Sequence, residues 1–251
     1  MKQNNFGVLS GEYSKARRGY PPQLFDYLNS LIKASENGIG VRTLDTGCGT
    51  GISTRQLKAA GFRVIGCDAE EKMIQAAEKE NDGITYVTAP AHSLPFESDH
   101  FDMVTTFTSF HWFSDPESIE EIKRILKPGG MFFVASKNAD EGMSSEDFRN
   151  EYQKILKKYV GDRFDMTKDF FPSEILNKNS FNRVSENSFF MKEEYMIDEA
   201  LVLLRSFSFW NLIGDIDKPL ILEEITALYK KHLVNGFVVR EWEVKTVVGY
   251  K

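Results

Sequence analysis

The apolar residues of the first 140 positions follow two alternating repeats. Short runs rich in apolar side chains predict five β-strands, at Val41–Asp45, Phe62–Cys67, Ile84–Thr88, Phe101–Phe107 and Met131–Ala135. Between most of them apolar residues recur at helical spacing, as at Ile119, Ile122, Ile125 and Leu126. Ser114 or Asp115 can cap this last helix, and the Pro-Gly-Gly triplet at 128–130 ends it. Strands that alternate with helices predict a doubly wound, parallel α/β sheet of the Rossmann-like type.

The pattern changes after the fifth strand. Residues 138–180 are polar with a helical apolar register, which predicts a cap inserted over one edge of the sheet. Further on, a strand near 182–197, two helices and a strand from Phe237 to about Val248 bring the predicted sheet to seven strands; apolar and charged residues alternate in the last one. We therefore expect a single domain over 1–251, divided into an N-terminal helical cover (1–40), a ligand-binding core (41–137), the cap (138–180) and closing strands and helices (181–251).

A glycine-rich loop, Leu44-Asp45-Thr46-Gly47-Cys48-Gly49-Thr50-Gly51, joins the first strand to the next helix. Glycines let the backbone approach a ligand, and a helix N-terminus favours electronegative groups. The dinucleotide fingerprint Gly-x-Gly-x-x-Gly/Ala fails here because Ile52 holds its third position, and no Gly-Lys-Ser/Thr of a phosphate-binding loop follows. The spacing Asp-x-Gly-x-Gly-x-Gly is instead that of S-adenosylmethionine (SAM) sites.

Asp68 ends the second predicted strand, where a carboxylate can accept hydrogen bonds from both hydroxyls of a ribose. An NAD site requires the same acid, so Asp68 supports a nucleoside without selecting one. Met73 follows five residues later, where it can pack against an adenine. The alternatives are an ordinary solvated acid at a strand end and a methionine of the core.

Four further stretches follow the glycine loop in a fixed order: Asp68 to Met73, Ala91-His92-Ser93-Leu94-Pro95-Phe96, Phe101-Asp102-Met103-Val104 and Arg124-Ile125-Leu126-Lys127-Pro128-Gly129-Gly130. Over residues 41–135 the chain resembles the class I SAM-dependent methyltransferases. The segments Tyr13–Pro21 and Phe110–Phe113 resemble those of the small-molecule branch that includes trans-aconitate methyltransferase. The quinone C-methylating branch is a weaker match.

The resemblance implies a role in SAM binding for residues along the core. Gly47, Cys48 and Gly49 would approach the methionine part of SAM, and Asp45 would approach its amino group. Asp68 would bind the ribose, Ala69 and Met73 would contact the faces of the adenine, and Ala91 and His92 would contact its edge. Thr106 would lie near the methyl group, and Tyr13 and Arg17 would close over the cofactor. One departure is Pro90, which stands where family members often carry an acid that accepts the adenine amino group.

The resemblance also places the segment after the fourth strand beside the reacting methyl group. His111 is the titratable residue of that segment, and its ordinary pKa suits a general base. The alternatives are that it orients the segment or lines the acceptor pocket. Phe110 and Trp112, with Trp210 and Asn211 of a later helix, are the other pocket candidates. No Asn/Asp-Pro-Pro-Tyr motif occurs, which argues against methylation of adenine or glutamine amino groups.

Composition limits the partners. The 31 basic and 37 acidic residues give a net charge of −6, which disfavours nucleic acid. Two cysteines without clustered histidines predict neither a disulfide framework nor a metal site. No apolar stretch reaches the length of a membrane span, and the first residues do not resemble a signal peptide, so we expect a cytoplasmic protein.

These observations rank the possible functions. The leading hypothesis is a SAM-dependent methyltransferase that acts on a carboxylate or hydroxyl oxygen of a small molecule. C- or N-methylation of a secondary metabolite or a quinone is the first alternative. An NAD-type oxidoreductase and a non-catalytic SAM-binding module are the others. The sequence does not predict the oligomeric state.

Overall fold

A computed structural model describes residues 17–32, 40–139, 145–161 and 170–251, which fall into two units. The sheet unit consists of Gly19–Lys137, Phe170–Phe189 and Val244–Lys251, and the helical unit of Met1–Arg18, Asn138–Asp169 and Phe190–Glu243. The domain bounds expected from the sequence, including a cap at 138–180, stay a prediction.

Strands and helices alternate through the first part of the chain. In order they are α1 (Pro22–Leu31), β1 (Arg42–Thr46), α2 (Ile52–Ala59), β2 (Arg63–Asp68), α3 (Glu71–Glu78), β3 (Thr85–Thr88), β4 (Phe101–Phe107), a 3₁₀ turn (Phe110–Trp112), α4 (Pro116–Ile125) and β5 (Leu126–Ala139). The remaining elements are α5 (Glu146–Val160), α6 (Pro172–Lys178), β6 (Asn182–Tyr195), α7 (Ile197–Arg205), a 3₁₀ turn (Ser208–Leu212), α8 (Asp217–Lys231) and β7 (Val238–Tyr250).

The described strands form a seven-stranded sheet in the order β3-β2-β1-β4-β5-β7-β6. β1 runs parallel to both β2 and β4, β2 to β3, and β4 to β5. The chain therefore leaves β1 toward one edge of the sheet and returns to pair β4 on its other side, so the strand order reverses at β1. Such a switch point places ligands at the carboxyl ends of the adjoining strands. The predicted doubly wound, seven-stranded α/β fold is confirmed.

The core of the sheet unit lies between this sheet and its helices. Helix α4 buries Ile119, Ile122 and Ile125, as the sequence predicted, but Leu126, which was expected on the same helical face, follows the end of the helix and begins β5. Of the two possible caps, Asp115 begins the helix: its carboxylate accepts a hydrogen bond from the backbone N–H of Ser118 at 2.9 Å.

Strand β5 is longer than the predicted run Met131–Ala135. It already begins at Leu126, because the Pro-Gly-Gly triplet does not interrupt pairing. The Lys251 N–H donates to the Gly130 carbonyl, and the Gly129 N–H donates to the Lys251 carbonyl. Gly129 has a φ of +76°, and the register between β4 and β5 shifts between Phe101 and Met103. The Pro-Gly-Gly triplet, which was predicted to end helix α4, is thus part of strand β5, because residues distant in the sequence pair with it.

The helical unit has its own apolar core, built from α5, α7, α8 and the adjoining parts of β6 and β7. Phe148, Tyr152 and Leu156 of α5 are buried there, in the register predicted from the sequence. In β7, Trp242 and Val244 are buried while their charged neighbours are more exposed, so the alternation in that strand is also confirmed. Within the described residues, no helix is both long and apolar enough to cross a bilayer.

Candidate functional site

The glycine loop turns the chain from β1 into α2 at the switch point of the sheet. Gly47 and Gly49 have φ values of +68° and +56°, in the left-handed region that side chains disfavour. A Cβ atom added to Gly47 would also lie 2.5 Å from the Ser109 hydroxyl, so the segment after β4 packs directly on this turn. At Gly49 no atom lies within 4 Å of an added Cβ, and the backbone there is open to a ligand.

Asp45 lies beneath this loop and is wholly buried. Its carboxylate accepts hydrogen bonds from three hydroxyls, those of Ser53 at 2.8 Å, Thr54 at 2.7 Å and Thr105 at 3.0 Å. Burial raises the pKa of Asp45 to about 6, although the three hydrogen bonds oppose the rise. In this structure Asp45 therefore fastens β1 to the first turn of α2 and to β4. Its expected contact with the amino group of SAM stays a prediction.

Asp68 connects the end of β2 to the glycine loop. One carboxylate oxygen accepts a hydrogen bond from the Gly49 N–H at 2.8 Å, and the other accepts one from the Glu70 N–H at 2.9 Å. Burial raises the pKa of Asp68, against the effect of these hydrogen bonds. The structure thus brings together two features that the sequence predicted separately, the glycine loop and the acid at the strand end.

The remaining predicted cofactor residues of the sheet unit occupy mixed environments. Ala69 and His92 are exposed, whereas Met73 and Ala91 are buried. The turn that holds Ala91 and His92 starts beside Asp68, because the Ala89 N–H donates to the Asp68 carbonyl at 3.0 Å.

Cys48 and Thr106 are both buried at the carboxyl ends of the central strands. The Cys48 N–H donates to the Cys67 carbonyl at 3.0 Å, and burial raises the pKa of the Cys48 thiol, which disfavours its thiolate form. The Thr106 hydroxyl pairs with that of Ser109 at 2.7 Å.

Four predicted residues belong outside the sheet unit or outside the described residues. Arg17 donates to the hydroxyl and the carbonyl of Ser206, both at 3.3 Å, within the helical unit. Trp210 is buried and Asn211 exposed in the 3₁₀ turn of the same unit. Tyr13 lies outside the described residues. Their predicted roles at the cofactor and in the acceptor pocket stay predictions.

The segment after β4 holds the candidate catalytic residue. Phe110 is 1% exposed and packs in the core against Phe132 and Phe170. His111 is half-buried, with its ring centroid 4.6 Å from that of Trp112, which is 43% exposed. Phe110 thus anchors the turn, and the ring of His111 also packs against Phe170.

The sequence analysis missed a clamp that holds this segment. The side-chain amide of Gln56 exchanges two hydrogen bonds of 2.9 Å with the backbone of Tyr20. The Tyr20 hydroxyl pairs with that of Thr108 at 2.8 Å, and the Lys137 N–H donates to the Thr108 hydroxyl at 3.1 Å. Thr108 has a φ of +55°, which is costly for a β-branched residue and needs such fixing contacts. No local pattern in the sequence predicts this conformation.

The protein is a Rossmann-like domain in which the glycine loop is hydrogen-bonded to the acid at the end of β2, at the switch point of the sheet. This fold and this site define its class. The family model described as a methyltransferase domain matches residues 44–134. An uncharacterised methyltransferase of Schizosaccharomyces pombe is 25% identical over 92% of this chain and 89% of its own length. A malonyl-[acyl-carrier protein] O-methyltransferase of Erwinia pyrifoliae is 34% identical over 42% of this chain and 41% of its own.

A solved structure from Anaeromyxobacter dehalogenans, described as a type II methyltransferase candidate, shares the fold. It has a TM-score of 0.64 at 20% identity, and the match covers 93% of this chain and 97% of that one. Residues 44–134 thus match a methyltransferase domain within a Rossmann-like fold, and the comparisons support a SAM-dependent methyltransferase over the oxidoreductase alternative. Its placement in the trans-aconitate-like branch stays a prediction.

The burial of Asp45 predicts a specific pH dependence. Because its folded-state pKa of about 6 exceeds the ordinary value of 3.8, the folded protein binds the proton more tightly than the unfolded chain. The free energy of unfolding should therefore fall by up to about 3 kcal/mol as the pH rises from about 4 to about 6, and stay level above. Urea unfolding of wild type and Asp45→Asn across this range measures the difference. Parallel pH profiles for the two proteins would contradict the assignment.

The Tyr20–Thr108 clamp predicts coupled stability effects. Tyr20→Phe should lower the free energy of unfolding by about 1 kcal/mol, because it removes the partly buried hydroxyl pair, and Thr108→Ala should lower it by at least as much, because it also removes the acceptor of the Lys137 N–H. The double variant should lose less than the sum, since the pair can be broken only once. Tyr27→Phe is the matched control, as its ring packs on Phe189 without a hydroxyl contact. Strict additivity of the two changes would sink the proposed pairing.

Proposed function

We propose that this enzyme transfers the methyl group of SAM to an oxygen of a small-molecule acceptor, either a carboxylate or a hydroxyl. The observation that carries the proposal is the hydrogen bond between Gly49 and Asp68, which presents an open backbone turn and a carboxylate at the switch point of the sheet. The similarity of the chain to an O-methyltransferase supports oxygen as the methylated atom.

The residues of this edge fit SAM in two respects. Each oxygen of Asp68 accepts one backbone hydrogen bond, and a carboxylate has about four acceptor positions, so it retains capacity for two ribose hydroxyls. Gly47, Cys48 and Gly49 would follow the methionine part at close range, since no atom lies within 4 Å of the position that a Cβ would take at Gly49. Ala69, Met73, Ala91 and His92 would surround the adenine, and Thr106 would border the reacting centre.

When bound, SAM supplies a methyl group on a sulfonium, and its sulfur departs neutral, so no acid is needed. The chain must therefore align the acceptor oxygen and remove its proton where it has one. His111 is half-buried beside the exposed Trp112, on a segment that Ser109 and Thr108 fasten to the glycine loop and the strand ends. We assign proton removal from hydroxyl acceptors to His111. A carboxylate acceptor is already ionised and does not require it.

A pair of glycine variants tests the cofactor site. Gly49→Ala and Gly129→Ala both introduce a Cβ at positive φ with no atom within 4 Å, so both should lose about 1–2 kcal/mol of folding stability. Only Gly49→Ala should weaken SAM binding, by about tenfold or more, because only this position adjoins Asp68. Isothermal titration calorimetry with SAM measures the effect. Equal SAM affinity for the two variants would place the cofactor elsewhere.

The role of His111 can be separated from acceptor binding. A methyl-release assay over matched phenols and carboxylic acids should show that His111→Ala slows transfer to phenols by about a hundredfold or more, while carboxylates retain rates within about tenfold. His111→Gln is the control that keeps a polar side chain of similar length. An equal loss on both acceptor classes would make His111 a positioning residue. SAM binding without turnover of any acceptor would favour the non-catalytic module.

A further inference from the structure

A cavity lies at the amino edge of the sheet, where the parallel strands begin. The first residues of four neighbouring strands line it: Arg42 of β1, Arg63 of β2, Thr85 of β3 and Phe101 of β4. Its described lining residues all belong to the sheet unit, and its volume of about 680 Å³ is in the range of small-molecule sites. The glycine loop follows the carboxyl end of β1, so this cavity is separate from the predicted cofactor site.

The lining of the cavity carries an excess of positive charge. It also contains His100 and Lys58, whose ammonium donates to the backbone carbonyl of Asp82. The described lining residues include no aspartate or glutamate. Arg42 and Arg63 are partners in the register of β1 and β2, so two permanently charged residues occupy adjacent positions. Because like charges that face each other across a strand pair repel, a bound anion would relieve this repulsion.

The acids next to the lining residues in the sequence are already engaged. Each has a basic partner: Asp82 pairs with Arg55, Asp99 with Lys251 and Asp102 with Lys127. Asp102 also accepts the Arg42 N–H at 2.9 Å, and Coulombic attraction links the two side chains. Among the described residues, neither Arg63 nor Lys58 forms an ion pair. The chain thus balances the charge of Arg42 in part and leaves two further cations for a ligand.

The cavity combines these cations with apolar surface. Ile65 and Ile84, both half-buried, contribute to its walls. The imidazole of His100 packs edge-on against Phe101, with 4.8 Å between the ring centroids, and the side chain of Thr85 is exposed at the start of β3. A ligand with an anionic group and an apolar body would match both parts of this lining.

We propose that this cavity binds a small organic phosphate, whose phosphate group is held by Arg42, Arg63 and Lys58. A phosphate monoester carries nearly two negative charges at neutral pH and three strong acceptor oxygens, which suits a group of three cations. A single carboxylate would leave more of that charge unbalanced. Ile65 and Ile84 would contact the organic part. The site is additional to methyl transfer and requires neither SAM nor a methyl acceptor.

Binding of phenyl phosphate to the full chain, in the absence of SAM, tests the site. Phenyl sulfate keeps the shape but carries one negative charge, and inorganic phosphate lacks the apolar body. We compare wild type with Arg63→Met, which removes one charge from the cavity, and Arg63→Lys, which keeps it. Arg183→Met is the matched control, because Arg183 is also an exposed arginine on a strand of the sheet unit but does not line the cavity. Isothermal titration calorimetry at constant ionic strength measures affinity, and thermal unfolding checks the fold.

We expect phenyl phosphate to bind wild type and Arg183→Met saturably, at least about fivefold more tightly than phenyl sulfate or inorganic phosphate. Arg63→Met should lose about tenfold or more in affinity, and Arg63→Lys should lose less because it keeps the charge. All variants should keep the wild-type Tm, since the substituted side chains are exposed.

Three results would overturn the site. The first is an equal loss of affinity in Arg183→Met and Arg63→Met, which would reduce binding to general attraction by surface charge. The second is a wild type that binds phenyl sulfate or inorganic phosphate as tightly as phenyl phosphate. The third is displacement of phenyl phosphate by SAM, because the probe would then occupy the cofactor site. Failure of SAM to bind would count against the proposed function and leave this measurement unaffected.

Discussion

The buried carboxylate of Asp45 is the constraint on which the site depends. Three hydroxyls, from the first turn of α2 and from β4, satisfy it. Without those donors a buried carboxylate would be far more costly, and with them it fixes where β1 ends and where the helix begins. The glycine loop lies between these two points. Its left-handed turns are therefore held at both ends before any ligand is present.

Asp68 extends this arrangement to the next strand. It holds the Gly49 N–H and thereby ties the loop to the end of β2, while Ser109 ties the same loop to the segment after β4. Asp45 is buried and Asp68 half-buried, and the charge on Asp68 contributes to the raised pKa of Asp45. A cationic ligand at this edge would favour the charged form of both acids. The electrostatics of the free site are thus suited to a sulfonium cofactor that carries positive charge.

Most of the sheet was predictable because its information is local. Strand β4 matches its predicted bounds, and the Asp115 cap is a short-range hydrogen bond. The features that the sequence did not reveal all depend on partners distant in the chain. Strand β5 gains its extra length from pairing at Lys251, and the left-handed conformation of Thr108 is stabilised by Tyr20 and Lys137. A rule based on local propensity takes no account of such distant partners. It therefore missed that the Pro-Gly-Gly triplet belongs to a strand and that Thr108 is strained.

Asp45 and Arg240 show two ways in which this fold accommodates a buried charge. Both side chains are almost wholly buried, and each lies in the core of its own unit. The donors around Asp45 come from the chain itself, so that charge is used in holding three elements together. Arg240 has aromatic faces around it but no described acceptor for its Nε–H group. The hydrogen-bonded carboxylate therefore fixes the strands and the helix that carry the predicted cofactor residues, whereas the ring faces stabilise the guanidinium without setting a direction at its Nε–H group.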